Sequence, residues 1–259
     1  MRSERYIVDD RPDVSTNRFW QARALRLRLL ILFLALLAAS TFASTTKAQN
    51  PEKHLGTWLI YNGTLRFTDD WSVFTEGQLR LWDVAYNVEE WFVRAAAQYN
   101  FTPNALVAIG YMYSQAYAFE GSERERSENR LYEQLTLWQH WARAVFEHRY
   151  RLEQRWLKTE GTRFSNRVRY RLQVTVPLNR KVMEARVWFL NFYDEFFITF
   201  DDPRLFDQNR LYGAAGYQFA KLNNLQLGFL WQLRSDSQFM RLQIFYTHNF
   251  DFQKRFQGR

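Results

Sequence analysis

Polar and apolar residues alternate with a period of two along most of the chain beyond residue 48. The alternation is strictest from 145 to 174, VFEHRYRLEQRWLKTEGTRFSNRVRYRLQV, where two alternating runs flank the turn-like tetrapeptide 158–161. Successive strand residues point to opposite faces of a sheet, so each run has one charged face and one largely apolar face. An amphipathic helix would group apolar residues at i, i+3 and i+4, and these runs do not. The pattern therefore predicts a charged β-hairpin.

The same alternation predicts further strands before and after the hairpin. They lie at 57–67, 71–82, 91–101, 106–119, 131–141, 182–200, 210–220, 225–234 and 239–252. Tight turns alternate with longer connections, of which 120–130 and 201–209 are the most polar, as in barrels of the outer membrane. The pattern gives about eleven strands, but single-chain bacterial barrels have an even number. We therefore expect ten or twelve strands and favour twelve.

A charged face suits either the surface of a soluble sheet or the wet interior of a barrel whose outer face meets lipid. Predicted strands of roughly 9–14 residues exceed the ~5–6 of soluble sheets and match tilted membrane strands. Aromatic residues make up 18% of the chain, as expected where rings gather at a membrane interface. A mean hydropathy of −0.47 excludes a bundle of apolar membrane helices. The predicted fold is all-β, a single transmembrane antiparallel β-barrel of about 10–12 strands.

The one long apolar run, 29–38, follows three arginines and precedes small residues that end at Ala48. At roughly ten residues it is too short to span a bilayer, which takes ~20. This pattern predicts a signal peptide at 1–48 and a barrel domain at 49–259, located in the bacterial outer membrane. An uncleaved membrane anchor is the alternative.

The charge and the lack of cysteine narrow the possible partners. The formal net charge is +8, without a block of Lys or Arg, so we expect no nucleic acid partner. The chain has no Cys, which excludes disulfides, thiolate metal sites and a cysteine nucleophile. The expected partners are outer-membrane lipid and small anionic solutes; the sequence specifies neither the solute nor the oligomeric state.

Charged side chains on the polar faces are the candidate lumen residues. They are Glu76, Arg80, Arg94, Glu147, Arg149, Arg151, Glu153, Arg167, Arg169, Arg171, Glu184 and Arg186. One interpretation is a structural ladder of ion pairs that fills and stiffens the lumen. The other is an electrostatic field that selects permeating solutes, and because Arg outnumbers Glu in this set, it would favour anions.

The sequence offers little for catalysis. Of the four histidines, His148 faces outward between Phe146 and Tyr150 on its own strand, and no serine–histidine pair appears. Asp194 and Glu195 are adjacent on one strand, so they point to opposite faces and cannot act as a pair. Metal-spaced His clusters and phosphate-binding Gly loops are absent from the sequence. We expect no enzyme, no cofactor and no metal; a barrel-embedded hydrolase is the less favoured alternative.

Four segments resemble the bacterial domain-of-unknown-function family numbered 2490: WLIYNGTLRFTDDWSVFTEGQLRLW (58–82), RYRLEQRW (149–156), RVRYRLQV (167–174) and FYDEFFI (192–198). The last contains the motif acids Asp194 and Glu195. The resemblance covers about 55–259, and it implies an outer-membrane β-barrel from a Gram-negative source with no established activity. The expected role is a small, porin-like passive channel with an anion-favouring lumen. The alternative is a closed structural or adhesion barrel whose outer loops bind a partner.

Overall fold

A computed structural model of the chain describes residues 55–119, 123–201 and 204–253; the predicted signal peptide lies outside these residues. Within them are eleven strands: β1 (Gly56–Arg66), β2 (Trp71–Leu81), β3 (Val88–Thr102), β4 (Ala105–Tyr117), β5 (Arg124–Trp141), β6 (Ala144–Lys158), β7 (Thr162–Pro177), β8 (Val187–Thr199), β9 (Phe206–Ala220), β10 (Asn223–Arg234) and β11 (Gln238–Asp251). In the described ranges, no helix has the length and apolar character needed to cross a membrane.

The strands form one closed barrel in which every strand pairs with its neighbours in sequence. These pairs are antiparallel, whereas β1 and β11 close the barrel through a parallel ladder that runs from Gly56–Arg241 to Arg66–Asp251. The all-β barrel predicted from the alternation is confirmed, but the expected even number of strands is wrong. With eleven consecutive antiparallel strands, the first and last run in the same direction, so the seam can only be parallel.

Polar side chains fill the barrel and apolar side chains cover its outside. Glu153 and Gln243 on the inner face are fully buried, whereas Ile109 and Phe229 on the outer face are 61% and 52% exposed. The core of this molecule is therefore a charged lumen rather than an apolar interior.

The connections differ between the two ends of the barrel. At the end that we call the turn end, β3–β4, β5–β6 and β9–β10 are joined by two residues each, although β7–β8 takes nine. At the opposite, loop end, β2–β3, β4–β5 and β8–β9 are joined by six residues each. The predicted difference between tight turns and longer connections thus holds for most pairs. The exceptions are the long connection 178–186 at the turn end and the three-residue connections β6–β7 and β10–β11 at the loop end.

Three predicted boundaries are wrong. The polar stretch predicted as the connection 120–130 is strand from Arg124 onward, because its alternate charged side chains turn into the lumen and find partners there. The connection predicted at 201–209 gives way to β9 at Phe206 for the same reason. Strand β8 begins at Val187 instead of 182, so Glu184 and Arg186 lie in an exposed connection.

Close packing inside the barrel leaves no room for a Cβ atom at Gly110. A Cβ atom added at Gly110 would lie 2.4 Å from Cζ of Tyr132, a side chain that is 2% exposed. We expect Gly110→Ala to displace this ring and lower the free energy of unfolding by about 1–3 kcal/mol in urea titrations. Gly77→Ala is the matched control, because a Cβ there meets nothing within 4 Å. Equal effects of the two substitutions would contradict the packing argument.

Candidate functional site: the charged lumen

The register of β6 and β7 places like charges opposite each other. Arg149 faces Arg171 and Arg151 faces Arg169, while Glu153 faces Arg167. Like charges directly opposite each other on a sheet destabilise it, so these arginines need carboxylates from elsewhere. The structure supplies them from further along the same strands and from β8.

Glu153 is the centre of the network. It is fully buried, and its carboxylate oxygens lie 2.7 Å from the guanidinium groups of Arg167 and Arg169, 3.2 Å from Arg130 and 3.9 Å from Arg151. One carboxylate thus lies among four cations in an interior that water reaches poorly. Such a group is stabilised only by its partners, since an unpaired buried charge is very costly.

A second carboxylate, Glu195 on β8, extends the network around the wall. It contacts Arg149 at 2.5 Å and Arg169 at 2.7 Å, so Arg169 links Glu195 to Glu153. Arg171 pairs with Glu147 at 2.5 Å. These arginines of β6 and β7 are therefore held in place by carboxylates on two strands, Glu147 and Glu153 on β6 and Glu195 on β8.

The wall formed by β2 and β3 has its own ion pairs. Arg94 pairs with Glu76 across the two strands, and Arg80 pairs with Glu90 at 2.5 Å. The Arg80 guanidinium also lies 3.8 Å from the centre of the Trp58 ring, a favourable cation–π contact.

Aromatic and aliphatic side chains occupy the lumen on the side of β1 and β8–β10. Trp58, Ile60, Tyr193, Tyr212 and Leu230 form a buried cluster there. Apolar groups thus line the lumen beside the charged ones, which narrows the space left for water or solute.

The structure places ten of the twelve predicted lumen residues inside the barrel. Glu184 and Arg186 do not belong to this site; Glu184 lies 3.6 Å from Arg180 in the exposed connection 178–186. Glu195 points inward, and Asp194 lies on the outer face, where Asn209 donates a hydrogen bond of 2.6 Å to it.

Several inward charged residues were not among the sequence predictions. They are Glu90, Glu128, Arg130, Arg155, Asp207 and Arg210. Arg155 continues the alternation of β6, so the sequence held a signal for it. Glu128, Arg130 and Asp207 fell in stretches assigned to connections, because a run of charged residues resembles a solvated loop.

Two cavities occupy the lumen. The turn-end cavity measures about 230 Å³ and is lined by seven arginines and three glutamates. The loop-end cavity measures about 400 Å³ and is lined by ten arginines and four acidic residues. Arg80, Arg169 and Arg210 line both cavities, so these three side chains lie where the cavities meet, a position that we call the partition. Arginine exceeds the acidic residues on both sides of this partition.

The outer face carries a few polar contacts among its apolar side chains. Nδ1 of His148 lies 2.9 Å from the hydroxyl oxygen of Tyr170 on the neighbouring strand. Tyr170 lies on the neighbouring strand, 22 residues away in sequence, so the alternation along β6 alone gives no signal for this contact. Among the described residues, no three His, Asp or Glu side chains are grouped so that they could hold a metal ion.

Comparison with known proteins gives one match. Residues 55–243 match a family model described as a protein of unknown function, DUF2490. No curated protein matches the chain, and no solved structure matches it.

Proposed function

The chain belongs to the DUF2490 family, as its sequence motifs predicted. Because the description of that family assigns no activity, we propose a function from the geometry of the barrel. The protein is an outer-membrane β-barrel whose arginine-rich lumen admits small anions. The observation that carries this proposal is the inverted distribution of side chains, with apolar groups outside and an excess of arginine inside both cavities.

The outer surface supports a lipid environment. Large apolar side chains on the outer faces of strands all around the barrel are exposed, among them Leu59, Val93, Ile109, Leu152 and Phe229. Contiguous apolar surface of this extent is costly in water. A closed barrel also pairs the backbone groups of its strands, as a bilayer requires. The predicted signal peptide agrees with export to that membrane.

The lumen supports a preference for anions. Rings of charged side chains select permeating ions by sign, and arginine rings favour anions. In both cavities the guanidinium groups outnumber the carboxylates by more than two to one. A cation entering from either end therefore meets a repulsive field before it reaches the partition.

A second candidate is a closed structural barrel, which the ion pairs at the partition favour. Arg80 is held by Glu90, and Arg169 by Glu153 and Glu195. If these pairs stay formed, the partition blocks the lumen. Any function would then reside in partner binding by the six-residue connections at the loop end.

Conductance in planar bilayers distinguishes the two candidates. We expect refolded 49–259 to give discrete current steps, with a reversal potential in a salt gradient that indicates anion preference. Replacing Arg126 and Arg234 with glutamine should shift that potential towards cations, because both line the loop-end cavity and neither pairs with a carboxylate among the described residues.

The matched control is Arg180→Gln, which removes one charge from an exposed connection and should leave the reversal potential unchanged. An inserted but silent barrel would support the closed candidate instead. If the protein conducts but the double substitution leaves the reversal potential unchanged, the arginine-rich lumen is not the element that selects the ions.

A further inference from the structure

Four arginines of the turn-end cavity carry buried N–H groups that find no acceptor. These atoms are Nε of Arg94, Nη1 of Arg151, Nε of Arg171 and Nε of Arg210, and all four side chains line the same cavity. Leaving a buried donor of a charged group without an acceptor is costly. Several such donors around one cavity indicate a site that an acceptor-rich ligand would complete.

Arg210 is the most weakly paired of the four. Among the described residues, no carboxylate lies within ion-pair distance of it, and its guanidinium group lies over two aromatic rings. Its guanidinium carbon lies 4.7 Å from the centre of the Phe197 ring and 5.1 Å from that of Trp58. These rings hold the side chain without neutralising it.

Arg151 presents a comparable charge from another wall. It is only 4% exposed, its Nε and Nη2 donate to Gln134 at 3.0 and 2.5 Å, and its closest carboxylate oxygen, on Glu153, is 3.9 Å away. Glu153 is already shared with three other arginines that lie closer to it. The charge of Arg151 is therefore poorly compensated.

The donors converge because of their positions around the barrel. Arg94 lies on β3, Arg151 on β6 and Arg210 on β9. Consecutive members of this set are therefore three strands apart around the barrel. All three side chains point inward and line one space of about 230 Å³. Cationic groups thus surround this space from three sides.

We propose that the turn-end cavity is a binding site for a small oxyanion of the phosphate type. A guanidinium group presents its N–H donors as a planar fork that matches the oxygens of a phosphate or carboxylate group, and such charge-assisted hydrogen bonds are strong. A phosphate offers several acceptor oxygens to donors on different walls, whereas chloride offers a single centre. Arg94, Arg151 and Arg210 are the residues that bind it.

This inference rests on the proposed function, since it names the class of solute that the anion-favouring lumen would hold. Calorimetric titration of the protein in detergent micelles with inorganic phosphate, in a chloride buffer, tests it. We expect saturable binding, weakened about tenfold or more by Arg210→Gln, because each hydrogen bond to a charged group contributes a substantial part of the affinity. Arg151→Gln should weaken it similarly.

Both substitutions remove a cation without separating a close ion pair, so the barrel should fold. Circular dichroism checks the fold of each variant. If only one of the two variants folds, that variant alone tests the site. Arg180→Gln, in the exposed connection 178–186, is the control and should bind phosphate as the unaltered protein does. Absent phosphate binding, or equal affinity in Arg210→Gln and Arg180→Gln, would overturn the site.

Conductance separates the failure of this inference from the failure of the proposed channel. Phosphate binding that depends on Arg210, in a barrel that passes no current, would keep the site and reject the channel. Anion-selective current without phosphate binding would keep the channel and reject the site. If both hold, saturating phosphate should reduce the chloride current.

Discussion

Replacing Glu153 with glutamine is expected to lower the free energy of unfolding by about 3–5 kcal/mol, the range for removing one partner of a buried ion pair. Glu153 is fully buried and has four guanidinium groups within 3.9 Å. Glutamine keeps the shape of the side chain and removes its charge. Arg151 then has no carboxylate partner among the described residues, and the other three arginines keep one each. Urea titration of the barrel in detergent or lipid measures the effect.

The control for this substitution is Glu184→Gln. Glu184 pairs with Arg180 at 3.6 Å in an exposed connection, where water and salt screen the interaction. Its replacement should change the free energy of unfolding by no more than about 0.5 kcal/mol. If Glu153→Gln proved equally mild, water or ions would be compensating the arginines, and the lumen would be far better hydrated than the ion pairs suggest.

Replacing Phe229 with arginine is expected to lower the free energy of unfolding in lipid vesicles by about 2–4 kcal/mol, the cost of an arginine near the bilayer midplane on the outside of a barrel. Phe229 lies in the middle of β10, on the outer face, and is 52% exposed. The expected effect arises only if this surface contacts lipid. In water, an arginine at such an exposed position would be well solvated.

Val182→Arg provides the comparison for the lipid environment. Val182 is also apolar and 64% exposed, but it lies in the connection 178–186 rather than on a strand. We expect its replacement to have little effect. Should both arginine substitutions be neutral in vesicles, the apolar outer surface would not be a lipid-facing surface, and the proposed location would fail.

The hairpin β6–β7 shows what the alternation of polar and apolar residues can predict and what it cannot. Alternation over 145–174 predicted two strands with one charged face, and the structure turns that face into the lumen. The same pattern could not distinguish strand from connection where both faces are polar, so the first residues of β5 were assigned to a loop. It also placed Glu184 and Arg186 on a strand that begins only at Val187.

The pairing of charges lay beyond the sequence. Arg149 and Glu195 are 46 residues apart and meet only because β6, β7 and β8 are aligned in one register. Arg210 was not predicted as a lumen residue, and its lack of a carboxylate partner depends on which side chains β8 and β9 bring beside it.

The sequence by itself determined the all-β class, most of the strands, the charged and apolar faces and the family. These follow from the two-residue period of a strand and from short motifs, which are local properties of the chain. Only the tertiary structure decided the odd number of strands, the parallel seam between β1 and β11, the carboxylates that hold each arginine and the division of the lumen into two cavities. Those features depend on the register between strands and on the closure of the barrel. Both are determined by contacts between residues that are far apart in the sequence.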